Sequence, residues 1–90
     1  MDKISVHIIR NLYYRGYIGR RHTNISHLKQ GLPKHLQDMT TIKKKLKELQ
    51  KIGILIIHKK GEQVSLNYIG ETKSKIDMII NAKRTDSILD

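Results

Sequence analysis

The chain has no cysteine, tryptophan or phenylalanine, one proline (Pro33) and one alanine (Ala82). Without cysteine there is no disulfide scaffold and no thiolate zinc site, and a reducing compartment is permitted. Without Phe or Trp the core has to be aliphatic, and fifteen isoleucines together with the leucines supply it. Long hydrophobic runs are also missing. The longest, residues 54–57, falls far short of the roughly 20 residues that span a bilayer. The opening stretch MDKISVHIIRNL is interrupted by His7 and Arg10 and does not read as a signal peptide. The expectation is a cytoplasmic protein without a membrane span. Ninety residues support one domain, burying roughly 60–65% of its unfolded-chain surface.

Acidic side chains are scarce as well. Eight Asp and Glu face eighteen Lys and Arg, a formal net charge of +10. The excess is local. Residues 10–60 hold thirteen basic groups against two acids, Asp38 and Glu48, a net +11, and the rest of the chain sums to −1. A segregated basic block of this kind is the electrostatic footprint of a nucleic-acid binder, whereas a merely solubilising surface would spread its lysines.

Asp2 can cap a first helix with Ile4, Ile8 and Leu12 on one stripe and Gly16 as its stop. Tyr17 and Ile18 read as a very short strand or an extended link. A second helix runs over 25–30, capped by Thr23 or Asn24, and Gly31-Leu32-Pro33 ends it. A tight helical turn over 34–37 leads to Asp38, which caps a third helix over 39–52 that Gly53 closes. Two apolar-rich runs, 54–58 and 63–67, flank Lys60-Gly61 and form a β-hairpin with a two-residue turn. A last amphipathic helix covers 71–83. The expected organisation is a domain over 1–70, the C-terminal helix and a flexible tail over 84–90. The fold class is mainly α with a small β-hairpin (α+β).

On the third helix, at 100° per residue, Ile42, Leu46, Leu49 and Gly53 form one buried stripe. Thr40, Lys43, Lys44, Lys47 and Lys51 occupy the opposite face, 100–200° around. A helix about 10–12 Å across fits a major groove about 12 Å wide. Lysine can donate to phosphates or to guanine O6 and N7, and threonine can meet a thymine methyl or a phosphate. A lone amphipathic helix would carry solvated lysines for no further reason. Here Lys59 and Lys60 at the hairpin tip suit a backbone clamp beside it, and Arg20 and Arg21 before the second helix suit a phosphate anchor.

The order helix, short strand, helix, turn, helix, two-stranded wing resembles the winged helix-turn-helix superfamily over residues 4–69. The segment Thr41-Ile42-Lys43-Lys44-Lys45-Leu46-Lys47-Glu48-Leu49-Gln50-Lys51-Ile52-Gly53-Ile54-Leu55 is similar to its recognition helix running into the wing. Its Leu46…Leu49…Gly53-Ile54-Leu55 spacing is similar to the ending L-x-x-L-x-x-x-G-[LI]-[LI] common there. The stretches Tyr17-Ile18-Gly19-Arg20-Arg21-His22-Thr23, Pro33-Lys34-His35-Leu36 and Val64-Ser65-Leu66-Asn67 also resemble small archaeal and archaeal-virus proteins of this type. The resemblance implies a three-helix core with a two- or three-stranded wing, the third helix in the major groove and the wing on the backbone or minor groove. Gly31-Leu32-Pro33-Lys34-His35-Leu36-Gln37 is longer than the usual turn between helices two and three.

Other chemistry is weakly signalled. Five histidines, among them His22, His27, His35 and His58, show no metal-ligand spacing. Asp38 and Glu48 lie 280° apart on a helix and make no carboxylate pair. No enzyme, cofactor, metal or small-molecule ligand is therefore expected. Tyr13 and Tyr17 are expected in the core and Tyr14 at the surface or at a dimer contact. Ile76, Ile79 and Ile80 could pack back on the first helix or join two copies in a homodimer reading a palindrome. The expected function is duplex DNA binding as a transcriptional regulator. The alternatives are a protein-interaction winged-helix module and an RNA or single-strand binder that stacks bases on the tyrosines.

Overall fold

The computed structural model describes the backbone of residues 2–89 and the side chains of residues 2–58 and 60–81. Asp2 opens helix α1 (Lys3–Arg15), its carboxylate accepting the Ser5 N–H at 2.8 Å. Gly16, at φ 77°, ends it in the left-handed region that favours glycine. Ile8, Ile9 and Leu12 are fully buried, the inward stripe that the spacing predicts.

The chain then touches the sheet twice. Ile18 makes a single parallel bridge to Leu66, and strand β1 (Thr23–Asn24) pairs antiparallel with the last strand. Of the very short strand or extended link expected at Tyr17-Ile18, the structure has a link with one bridge, and Gly19 at φ 63° turns the chain away after it. The second helix is a 3₁₀ helix over Ile25–Lys29, not an α-helix. The Gly31-Leu32-Pro33 stop leaves it one short turn, and its buried pair Ile25 and Leu28 has the three-residue period of a 3₁₀ helix. A further 3₁₀ turn, Lys34–Leu36, stands where the tight turn is expected.

Helix α2 (Met39–Lys51) follows, with Ile42, Leu46 and Leu49 buried. Strands β2 (Leu55–His58) and β3 (Gln63–Leu66) pair with Leu55 opposite Leu66 and Ile57 opposite Val64. Between them Lys60 (φ 55°, ψ 32°) and Gly61 (φ 88°) both have positive φ, as the two central residues of a type I′ hairpin turn require. The sheet has three antiparallel strands in the order β1–β3–β2.

Helix α3 (Gly70–Leu89) is longer than the expected 71–83. Neither glycine nor proline occurs between Lys83 and Leu89 to stop it, so no helix end separates a tail at Arg84. Asp90 and the side chains of 82–89 lie outside the described residues. α3 packs against α1. Ile76 is 0% exposed and Ile80 5%, both within the one aliphatic core, and Ile79 is half-buried against it. Of the two placements expected for these residues, packing back on the first helix is the one seen within the chain: Ile76 and Ile80 belong to its core, and α3 lies against α1. Tyr13 and Tyr17 pack at the core's margin, and Tyr14 is exposed. The fold is α+β, three α-helices around a three-stranded antiparallel sheet.

Candidate nucleic-acid interface

The basic face of α2 begins at its cap. Asp38 accepts the Thr40 N–H at 3.1 Å and the Thr41 hydroxyl at 2.9 Å. The Thr41 hydroxyl and the Thr40 N–H hold its carboxyl below the usual carboxylate range. The cap fixes the helix start at Met39 and so sets the rotation of everything after it. Thr40, Lys43, Lys44, Lys47 and Lys51 are all exposed. Thr40, Lys43, Lys44 and Lys47 share one surface depression.

A second depression, of about 260 Å³, lies between α2 and the hairpin. It is lined by Lys43, Leu46, Lys47, Ile57, Lys60 and Gly61. Helix and turn thus put three ammonium groups around one groove, with no carboxylate among its lining residues. Lys51 stands on the same helix face by phase but lines neither depression. The side chain of Lys59 lies outside the described residues.

Lys45 lies to the side of this face. It is half-buried and pairs with Asp2 at 3.1 Å and Glu48 at 3.5 Å. The Asp2 hydrogen bond raises its pKa, so it remains a cation that ties α2 to the start of α1. Glu48, which on a helical wheel dilutes the basic face, is drawn to the side by the same contact. The exposed face keeps lysines whose charge no neighbouring acid cancels among the described residues.

Arg20 and Arg21 are exposed and line neither depression. Their loop is nevertheless fixed to the hairpin. The Gly19 N–H donates to the Leu66 carbonyl at 2.9 Å, and the Ser65 hydroxyl donates to the Gly19 carbonyl at 2.8 Å. Ser65 is fully buried, and its single proton goes to Gly19, so at 3.1 Å it accepts from His58 Nε2–H. His58 stacks on His22, ring centroids 4.7 Å apart and 32° from parallel. His22 Nδ1–H in turn donates to Gln63 Oε1 at 3.1 Å. This chain of contacts holds the arginine loop beside the end of β2.

Sequence reasoning did not find the apolar wall of the groove, Leu46 and Ile57, nor the His22–His58 stack. Leu46 and Ile57 alternate like any core residue, and only the register of β2 against α2 turns their edges to the groove. The two histidines are 36 positions apart, and no local pattern links them. Among the described residues no group of three His, Asp or Glu side chains could hold a metal, and no helix is long and apolar enough to cross a membrane. Comparison with family models, curated proteins and solved structures finds nothing that matches this chain.

Proposed function

We propose that this chain is a winged helix-turn-helix protein that binds double-stranded DNA, acting inside the cell as a transcriptional regulator. One observation carries the reading: Lys43 and Lys47 from α2 and Lys60 from the hairpin turn line a single groove, beside a helix face that adds Thr40 and Lys44. In this reading α2 enters the major groove, with Lys43, Lys44 and Lys47 against phosphates and purine edges and Thr40 beside them. Lys60, with Lys59 next to it in the chain, meets the backbone that rims the groove, and Arg20 and Arg21 add phosphate contacts from their tethered loop. Lys51 extends the helix's basic track by one turn.

The chemistry is electrostatic. Each phosphate that a lysine or arginine neutralises releases condensed counterions, so log K falls with log salt by about 0.9 per contact. Specificity would come from the few side chains that reach base edges, and position from the phosphate contacts. The single-strand alternative loses support in the fold, because Tyr13 and Tyr17 pack against the core and only Tyr14 offers an exposed ring. The protein-interaction alternative predicts weak duplex binding with no salt slope.

The test is the double variant Lys43→Glu/Lys47→Glu, in side chains exposed to solvent. Duplex binding, measured by fluorescence anisotropy across a salt series, is expected to vanish while the circular dichroism spectrum stays that of the parent. A double variant that binds duplex as well as the parent removes α2 as the recognition element.

A further inference from the structure

A second basic surface lies away from the groove, on the outward stripe of α1. His7, Arg10, Asn11 and Tyr14 follow one another at helical spacing, and with Arg15, Gln30 and Gly31 they line a shallow cavity of about 290 Å³. Both guanidinium groups there are already positioned. Arg10 sits over the Tyr14 ring, 5.5 Å from its centroid, and Arg15 Nη1 donates to Gln30 Oε1 at 3.0 Å. The far wall is fixed by His7, whose Nε2–H is shared between the Leu28 and Gln30 carbonyls at 3.1 and 3.0 Å. His7 also lies against Gly31, where an added Cβ would come within 3.2 Å of its Cε1.

Charge is unbalanced at this site. No Asp or Glu occurs between residues 3 and 37, and among the described residues neither arginine pairs with a carboxylate. Asn11 lines the same cavity, and with its Oδ1 buried the group its carboxamide can offer there is the Nδ2–H₂ donor. In the chain this amide lies between two oriented guanidinium forks. Guanidinium forks match the oxygens of tetrahedral oxyanions. A terminal phosphate has three free oxygens, enough for two forks and an amide together. A carboxylate or a phosphodiester has only two.

We propose that the α1 cradle formed by Arg10, Asn11, Tyr14 and Arg15 is a binding site for a terminal phosphate group, free or carried on a small phosphomonoester. It is separate from the α2 groove and does not depend on the duplex reading. Tyr14 and Gln30 hold the two forks in place, and the Asn11 Nδ2–H₂ donates the third contact.

The experiment is a ¹H–¹⁵N NMR titration of the full chain with inorganic phosphate, a nucleoside 5′-monophosphate and acetate, with chloride holding ionic strength constant. Saturable shifts confined to the amides of residues 7–15 and 30–31 are expected with the two phosphates and not with acetate. A tighter monoester identifies a phosphorylated small molecule as the source, and equal affinities identify free phosphate. Arg10→Gln and Arg15→Gln should each weaken binding about tenfold or more, with the rest of the spectrum unchanged. Lys43→Glu/Lys47→Glu should titrate like the parent, which separates this site from the groove. Shifts that do not saturate, that acetate reproduces, or that survive in the Arg10→Gln/Arg15→Gln double variant would overturn the assignment.

Discussion

Lys60 occupies a position that local energetics would assign to another residue. At φ 55° and ψ 32° it is the only non-glycine with positive φ among the described residues, and first central positions of type I′ turns favour Asn, Asp or Gly. An L-residue in the left-handed region costs roughly 1–2 kcal/mol, and asparagine offsets part of that through local hydrogen bonding. Lys60→Asn is therefore expected to stabilise the fold by about 0.5–1 kcal/mol. For a domain of this size, that raises Tm by roughly 2–8 °C. The same change removes one of three ammonium groups from the groove, so duplex affinity should fall at every sequence tested and the salt slope should shrink by about one. Thermal melts and anisotropy titrations on one sample measure the two effects independently. Unchanged affinity and slope would refute a role for the turn in binding, and an unchanged or lower Tm would refute the strain argument.

Two further outcomes follow from the loop tether and the caps. Ser65→Ala removes the buried hydroxyl that receives His58 Nε2–H and donates to the Gly19 carbonyl. It is expected to cost about 1–3 kcal/mol, read as a lower urea midpoint at constant m; no change in midpoint would mean that water replaces the hydroxyl. Asp38 and Asp2 both have lowered pKa values. Thr41 and Thr40 lower that of Asp38, and for Asp2 the Ser5 and Lys45 hydrogen bonds outweigh the opposing effect of burial. Groups with depressed folded pKa values stabilise fully above the unfolded carboxylate value of about 3.9 and lose that contribution as pH falls through the folded value. Stability should thus drop below about pH 4, and Asp2→Asn/Asp38→Asn should flatten that drop in acid titrations followed by circular dichroism.

What could be read from the sequence was what is local. Helix α2 announces itself through Asp38, the Ile42, Leu46 and Leu49 stripe and Gly53, all within one segment, and its start and basic face lie where that pattern puts them. The hairpin is legible for the same reason, since Lys60-Gly61 is a turn signal with alternating residues on both sides. The remaining features depend on partners distant in the chain. β1 exists only because Thr23 meets Val64, and two residues carry no strand pattern of their own. The wheel puts Lys45 to the side of the basic face, but not on Asp2, 43 positions earlier, with which it pairs. The α1 cradle was half legible: its spacing 7, 10, 11, 14 is helical, but only the return of Gln30 and Gly31 makes it a cavity.

The isoleucines of α3 show the same limit, and they lend themselves to a decisive measurement. Periodicity says that Ile76 and Ile80 cover something, without saying whether it is this chain or another. In the structure they face α1 within the chain, Ile76 fully buried and Ile80 nearly so. A core truncation of this kind costs about 2–5 kcal/mol, from lost transfer energy and the cavity left behind. Because the site belongs to a single chain, the loss from Ile76→Ala should be the same at every protein concentration. An interface residue behaves differently, since subunit association makes the unfolding midpoint rise with concentration. Urea melts of parent and Ile76→Ala at dilute and concentrated protein separate the cases. Equal downward shifts at both concentrations are expected. Met78, 71% exposed on the same helix, serves as the control, and Met78→Ala should change little. If Ile76→Ala leaves the dilute midpoint untouched and abolishes a concentration-dependent rise seen in the parent, then α3 seals a dimer instead of the monomer core, and the packing of α3 on α1 is wrong.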